Sequence, residues 1–96
     1  MKSMSLLQET RLLLRRFRFF PKKRLGQNFL VDSGLLQRLV SYASLSDKDV
    51  VLEVGAGLGF LTRLLAQRCR RVLAVEIDSR LVKILKEQLS GLRNVE

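Results

Sequence analysis

The chain has 96 residues, 47% of them hydrophobic and 28% charged, which suits one small soluble domain. No apolar run approaches the roughly 20 residues that cross a bilayer as a helix, and arginines break up the N-terminal apolar stretch too soon for a secretory signal. The net charge of +9 lies mostly in the first thirty residues, where Lys2, Arg11, Arg15, Arg16, Arg18, Lys22, Lys23 and Arg24 face Glu9 alone.

In chain order, Leu6, Leu7, Leu13, Leu14 and Phe17 are spaced to form one side of a short helix whose other side carries Arg11, Arg15 and Arg18. Pro21 stops that element and pushes Phe20 toward an extended backbone. Residues 22–30 read as an ordered basic loop. Asp32 or Ser33 then caps a helix with Leu35, Leu36, Leu39, Val40 and Ala43 at helical spacing. Val50–Val54 is nearly all apolar, as expected of a parallel strand covered on both faces. A helix from about Phe60 to Arg68 should bury Leu61, Leu64 and Leu65, and Arg71–Ile77 forms a second strand. Asp78 and Ser79 cap a last helix with Leu81, Ile84, Leu85 and Leu89 inside, ended by Gly91. Asn94 to Glu96 looks like the start of a third strand. The expected class is α/β, the N-terminal part of a Rossmann-like parallel-sheet domain, and such a piece should be marginally stable alone.

Chemistry concentrates where the first strand meets the next helix. Gly55, Gly57 and Gly59 end the apolar run, and glycines at such a turn let a ligand approach the backbone. Glu76 closes the second strand, where a carboxylate can accept hydrogen bonds from both ribose hydroxyls. The alternative for Glu76 is an interaction with the positive end of the following helix, a place that Asp78 already fills. The spacing Gly-x-Gly-x-Gly differs from the dinucleotide pattern, whose third glycine falls where Phe60 stands. Glu53 would repel a pyrophosphate but suits the cationic S-adenosylmethionine. A purely structural turn with Glu53 capping nearby backbone remains the plain alternative. Cys69 has no partner cysteine, and with no histidine in the chain a metal site is not expected; a small buried filler is the expected role. The basic N-terminal end fits a nucleic acid backbone, against a solvated surface or an Arg-rich mitochondrial presequence.

The segment from Pro21 to Asp32, Pro-Lys-Lys-Arg-Leu-Gly-Gln-Asn-Phe-Leu-Val-Asp, precedes Val-Leu-Glu-Val-Gly-Ala-Gly-Leu-Gly and Ala-Val-Glu-Ile-Asp. In this combination the chain resembles the ribosomal RNA adenine N6-dimethyltransferase family from about Thr10 onward, and most of all its small-subunit members. The resemblance implies a class I S-adenosylmethionine-dependent fold, divided here into a basic helix and arm (1–24) and the first part of the cofactor domain (25–96). It implies that Asn28, Leu30, Gly55 and Glu76 contact S-adenosylmethionine, with Gln27, Glu53 and Gly57 supporting. Lys22, Lys23 and Arg24 would meet RNA phosphates. The implied reaction dimethylates N6 of two adjacent adenosines near the 3′ end of small-subunit rRNA, in a cytoplasmic, monomeric full-length enzyme acting on a pre-30S-type subunit. The family's catalytic and adenine-reading motifs fall after Glu96, so no catalytic residue is expected in these 96. A large-subunit adenine methyltransferase and a non-methylating nucleic-acid-binding factor on the same fold are the alternatives.

Overall fold

A computed structural model describes residues 4–21 and 32–96. The element order is α1 (Leu6–Arg16), α2 (Ser33–Tyr42), β1 (Val50–Val54), α3 (Phe60–Ala66), β2 (Arg71–Val75) and α4 (Ser79–Gln88). No described helix is long and apolar enough to cross a membrane.

Local chemistry sets the helix starts. Ser5 and Gln8 form a reciprocal capping box at α1: the Gln8 N–H donates to Ser5 Oγ at 3.1 Å and the Ser5 N–H to Gln8 Oε1 at 2.9 Å. Asp32 caps α2 by accepting from the Leu35 N–H at 3.1 Å, and Asp78 caps α4 by accepting from the Arg80 N–H at 2.9 Å. After α1, Arg18 adopts φ +51°, and the Phe19 N–H reaches back to the Leu14 carbonyl at 2.8 Å. That reversal turns Phe19 inward, where it is 5% exposed.

β1 and β2 pair in parallel with Val51 opposite Val72 and Val54 opposite Val75. Val72 also bridges Val95 in parallel, with its N–H donating to the Asn94 carbonyl at 2.8 Å and the Glu96 N–H donating to its carbonyl at 2.9 Å. The expected third strand thus begins on the far side of β2, which becomes the central strand. Because the order advances in one direction, right-handed crossovers place α3 and α4 on the same face of the sheet.

Two cores result. Leu13 and Phe19 pack with Leu58, Leu81 and Ile84, which joins α1 to α4 beneath the glycine turn. Val40, Leu65, Cys69 and Val72 form the second, between α2, α3 and the sheet. Cys69 is buried, as expected of a small filler.

Several expectations are corrected. Among the described residues the sheet is covered on one face: Val50, Leu52 and Val54 are 56%, 64% and 76% exposed, because the described helices lie over the side that carries Val51, Glu53 and Val72. Leu7, Leu35 and Leu39 are exposed, since only Thr10 and Leu13 of α1 and Leu36 and Val40 of α2 point fully into the core. α3 stops at Ala66 and fully buries Thr62 and Leu65, leaving Leu61 and Leu64 half-buried. β2 ends at Val75, two residues early, and α4 ends at Gln88 before Gly91 is reached.

Candidate cofactor site

The C-terminal ends of β1 and β2 bring the glycine turn and Glu76 together. Gly55, Gly57 and Gly59 all have positive φ, at +77°, +60° and +85°. This is the left-handed region that glycine enters without a Cβ penalty. The turn is stitched to the neighbouring strand: the Gly55 and Ala56 N–H groups both donate to the Val75 carbonyl, at 2.8 and 3.1 Å. A Cβ placed on Gly55 would meet nothing within 4 Å, so its backbone fronts open space. Gly59 is different. A Cβ there would lie 3.0 Å from Leu85 Cδ2, so this glycine lets α3 start tight against α4.

Glu76, beyond the end of β2, is tied into this turn. Its Oε1 accepts from the Gly57 N–H at 2.8 Å and its Oε2 from the Asp78 N–H at 3.0 Å. Each oxygen keeps a further lone pair for another donor. Two polar elements distant in sequence thus converge where ligands enter open α/β sheets, outside the carboxyl ends of the strands. An apolar groove of roughly 590 Å³ between α4, β2 and the 92–96 segment also reaches Glu76. Its lining does not include the glycines; Val82, Leu85 and Leu89 give it an apolar wall, with Glu76, Lys86, Ser90 and Glu96 as its polar groups, so it adjoins the polar corner of Glu76 and the turn.

Glu53 faces the other way. It is 8% exposed on the helix-covered side of the sheet, and the Thr62 hydroxyl donates to its Oε1. Burial pushes its pKa above the ordinary glutamate range, and the bond from Thr62 partly offsets this. Glu53 therefore links β1 to α3 behind the turn, through a side chain rather than by capping backbone. Thr62 was not singled out from sequence. Its position three residues after Gly59 was the available sign, since that places it on the first turn of α3.

Asn28, Leu30, Gln27, Lys22, Lys23 and Arg24 lie outside the described residues. Asp78 caps α4 as expected, and it also binds Arg80, which sequence reasoning passed over. Arg80 Nε and Nη2 donate to the two Asp78 oxygens at 3.1 and 2.7 Å. A pair two residues apart is not a regular helix-surface pairing, so spacing gave no sign of it. Among the described residues no group of His, Cys, Asp and Glu could hold a metal ion.

The ribosomal RNA adenine dimethylase family model matches residues 18–96. The chain belongs to this family. Over 88 residues it is 43% identical to the ribosomal RNA small subunit methyltransferase A of Natranaerobius thermophilus, covering 92% of this chain and 29% of that protein. Its fold is similar to the 23S rRNA methyltransferase ErmE, with 49% identity and a TM-score of 0.69 over 72% of this chain and 28% of that one. It is also similar to a SAM dependent methyltransferase from Aquifex aeolicus, at 27% identity and a TM-score of 0.56, covering 64% and 35% of the two chains. The chain thus spans less than a third of the length of the curated relative it matches. Its two strands, their glycine turn and their helices form the N-terminal part of a methyltransferase-type α/β fold.

Proposed function

We propose that the protein carrying this chain transfers methyl groups from S-adenosylmethionine to N6 of two adjacent adenosines near the 3′ end of small-subunit rRNA. The observation that carries this reading is the convergence of the Gly57 N–H and the Glu76 carboxylate at the strand ends of a chain in the rRNA adenine dimethylase family. Glu76 would hold the ribose hydroxyls. The open backbone of Gly55 would border the methionine part, and Gly57 and Glu53 would support the turn. Asn28, Leu30 and Gln27 complete the proposed cofactor set. The cofactor supplies an electrophilic methyl on its sulfonium, while these residues bind and orient it.

The basic residues Lys22, Lys23 and Arg24 belong to the same proposal as contacts to RNA phosphates, which position a substrate without reading its sequence. So do the division at residues 24 and 25, a monomeric full-length protein and a cytoplasmic setting with a small-subunit precursor as partner. The identity to relatives named for the small subunit supports that choice of substrate. The similarity to ErmE favours the large-subunit reading as the alternative.

The test is labelled methyl transfer by the full-length protein to each subunit. Dimethyladenosine in the small-subunit precursor is expected; product confined to large-subunit RNA would replace this reading with the alternative. A Glu76→Ala variant should weaken cofactor binding by at least about tenfold, the loss expected for a charge-assisted pair of hydrogen bonds, while leaving nonspecific RNA binding unchanged. Calorimetric titration checks the first and filter binding the second.

A further inference from the structure

The glycine turn that fronts the candidate site has little of its own to keep its shape. Gly55, Gly57 and Gly59 all sit at positive φ, and glycine has more backbone freedom to lose on folding than any other residue. On the β2 side the turn is tied down, by the Gly55 and Ala56 N–H groups to the Val75 carbonyl and by the Gly57 N–H to Glu76. On the α3 side Gly59 offers no side-chain cap. Nothing on that residue sets the angle at which the helix leaves.

One side-chain bond spans this gap. The Thr62 hydroxyl, on the first turn of α3, donates to Oε1 of Glu53, the residue before the last of β1. It joins the strand that enters the turn to the helix that leaves it, and so closes a ring of main chain around Gly55–Gly59. Both partners sit behind the turn, Thr62 at 0% exposure and Glu53 at 8%. A helical threonine can instead donate to the carbonyl four residues back, as the buried Thr10 does to Leu6 at 2.8 Å. The hydroxyl of Thr62 is directed across to β1. Filling the space does not call for a polar pair either. Burial works against the charge on Glu53, and apolar groups of the same shape can replace a buried hydrogen-bonded pair with little loss of stability. What the polar pair adds is direction, because its bond forms only when β1 and α3 keep one relative placement.

We propose that Thr62 is a positioning residue for the cofactor site, acting through Glu53 to hold the glycine turn in the shape that brings the Gly55 backbone beside Glu76 and keeps the Gly57 N–H on its carboxylate. This inference rests on the reading of that corner as the S-adenosylmethionine site.

The experiment compares Thr62→Ser, Thr62→Val and Thr62→Ala in the full-length protein, with S-adenosylhomocysteine affinity measured by calorimetry below the melting range of each variant. Serine keeps the hydroxyl and loses a methyl group, valine keeps the volume and loses the hydroxyl, and alanine loses both. Thr62→Ser should bind within about twofold of wild type and Thr62→Val about tenfold more weakly, the factor expected of one buried hydrogen bond to a carboxylate. A side chain that only filled the core would give the reverse order, since serine leaves a cavity where valine does not. If Thr62→Val fails to fold, serine against alanine isolates the hydroxyl, and alanine should be the weaker by about tenfold. Amide hydrogen exchange reads the free protein: loss of the hydroxyl should quicken exchange at the Gly57 N–H by about tenfold, with a smaller change at the Val72 N–H near the start of β2. Wild-type affinity in Thr62→Val, a serine variant no tighter than valine or alanine, or equal quickening at Gly57 and Val72 would overturn the proposal. Unchanged affinity in Glu76→Ala would instead overturn the cofactor reading on which it rests.

Discussion

At the scale of single residues, the two glutamates near the turn have opposite surroundings. Glu76 meets backbone N–H donors at both oxygens, whereas Glu53 is buried with a hydroxyl as its recorded partner. Burial raises the Glu53 pKa, so the folded state holds this proton to higher pH than the unfolded chain does. Its contribution to stability is then greatest below the ordinary glutamate range and is lost as pH rises through the raised value. Glu53→Gln keeps an acceptor for Thr62 without a charge to bury. Thermal melts from pH 4 to 8 should show a flatter profile for this variant and a higher midpoint at neutral pH. Matching slopes in both proteins would show that Glu53 titrates alike in the folded and unfolded states. Sequence made the glycines and Glu76 legible, because strand-end position and turn chemistry are local signals. It could not show where the Glu53 carboxylate goes, since that depends on which face of β1 the helices cover.

At the scale of elements, Gly59 shows how one backbone position couples two helices. It precedes α3 in the left-handed region, offers no side-chain cap, and faces Leu85 and Leu89 of α4. Gly59→Ala should cost about 1–2 kcal/mol from backbone conformation alone, with a further loss from contact with Leu85. Urea denaturation of the full-length protein measures the sum, and an unchanged midpoint would refute the account. Periodicity located the six elements among the described residues, since each has an apolar pattern of the right period or a strong cap. Their ends were less legible. α3 ends at Ala66 rather than near Arg68, because the chain turns through residues 67–70 to place Arg71 beside Val50. The exposed Leu35 and Leu39 of α2 have the same origin, since periodicity marks an apolar stripe without saying how wide a neighbour will cover it.

At the scale of the whole described chain, the helices cover one face of the sheet. A nearly all-apolar strand normally signals burial on both faces; within these 96 residues Val50, Leu52 and Val54 stay exposed because the described helices share the other side. β1 also has a strand neighbour on one edge only among the described residues. Such an edge beside an apolar face promotes association. The 96-residue polypeptide should therefore self-associate at micromolar concentration. Leu52→Lys should shift its sedimentation distribution toward monomer without changing the far-ultraviolet circular dichroism. An unaltered distribution would place the association elsewhere. The architecture was readable from strand and helix order, while the openness of one face was not, being a property of what packs rather than of what is written in β1.

The two backbone bonds to Glu76 have one more consequence. A carboxylate on a flexible side chain ordinarily loses rotamer freedom when it grips a ligand, and that loss weakens binding. Here the Gly57 and Asp78 N–H groups have already fixed the rotamer. Whatever donor arrives finds an acceptor aimed in advance, so the entropic penalty of aiming it belongs to folding rather than to recognition.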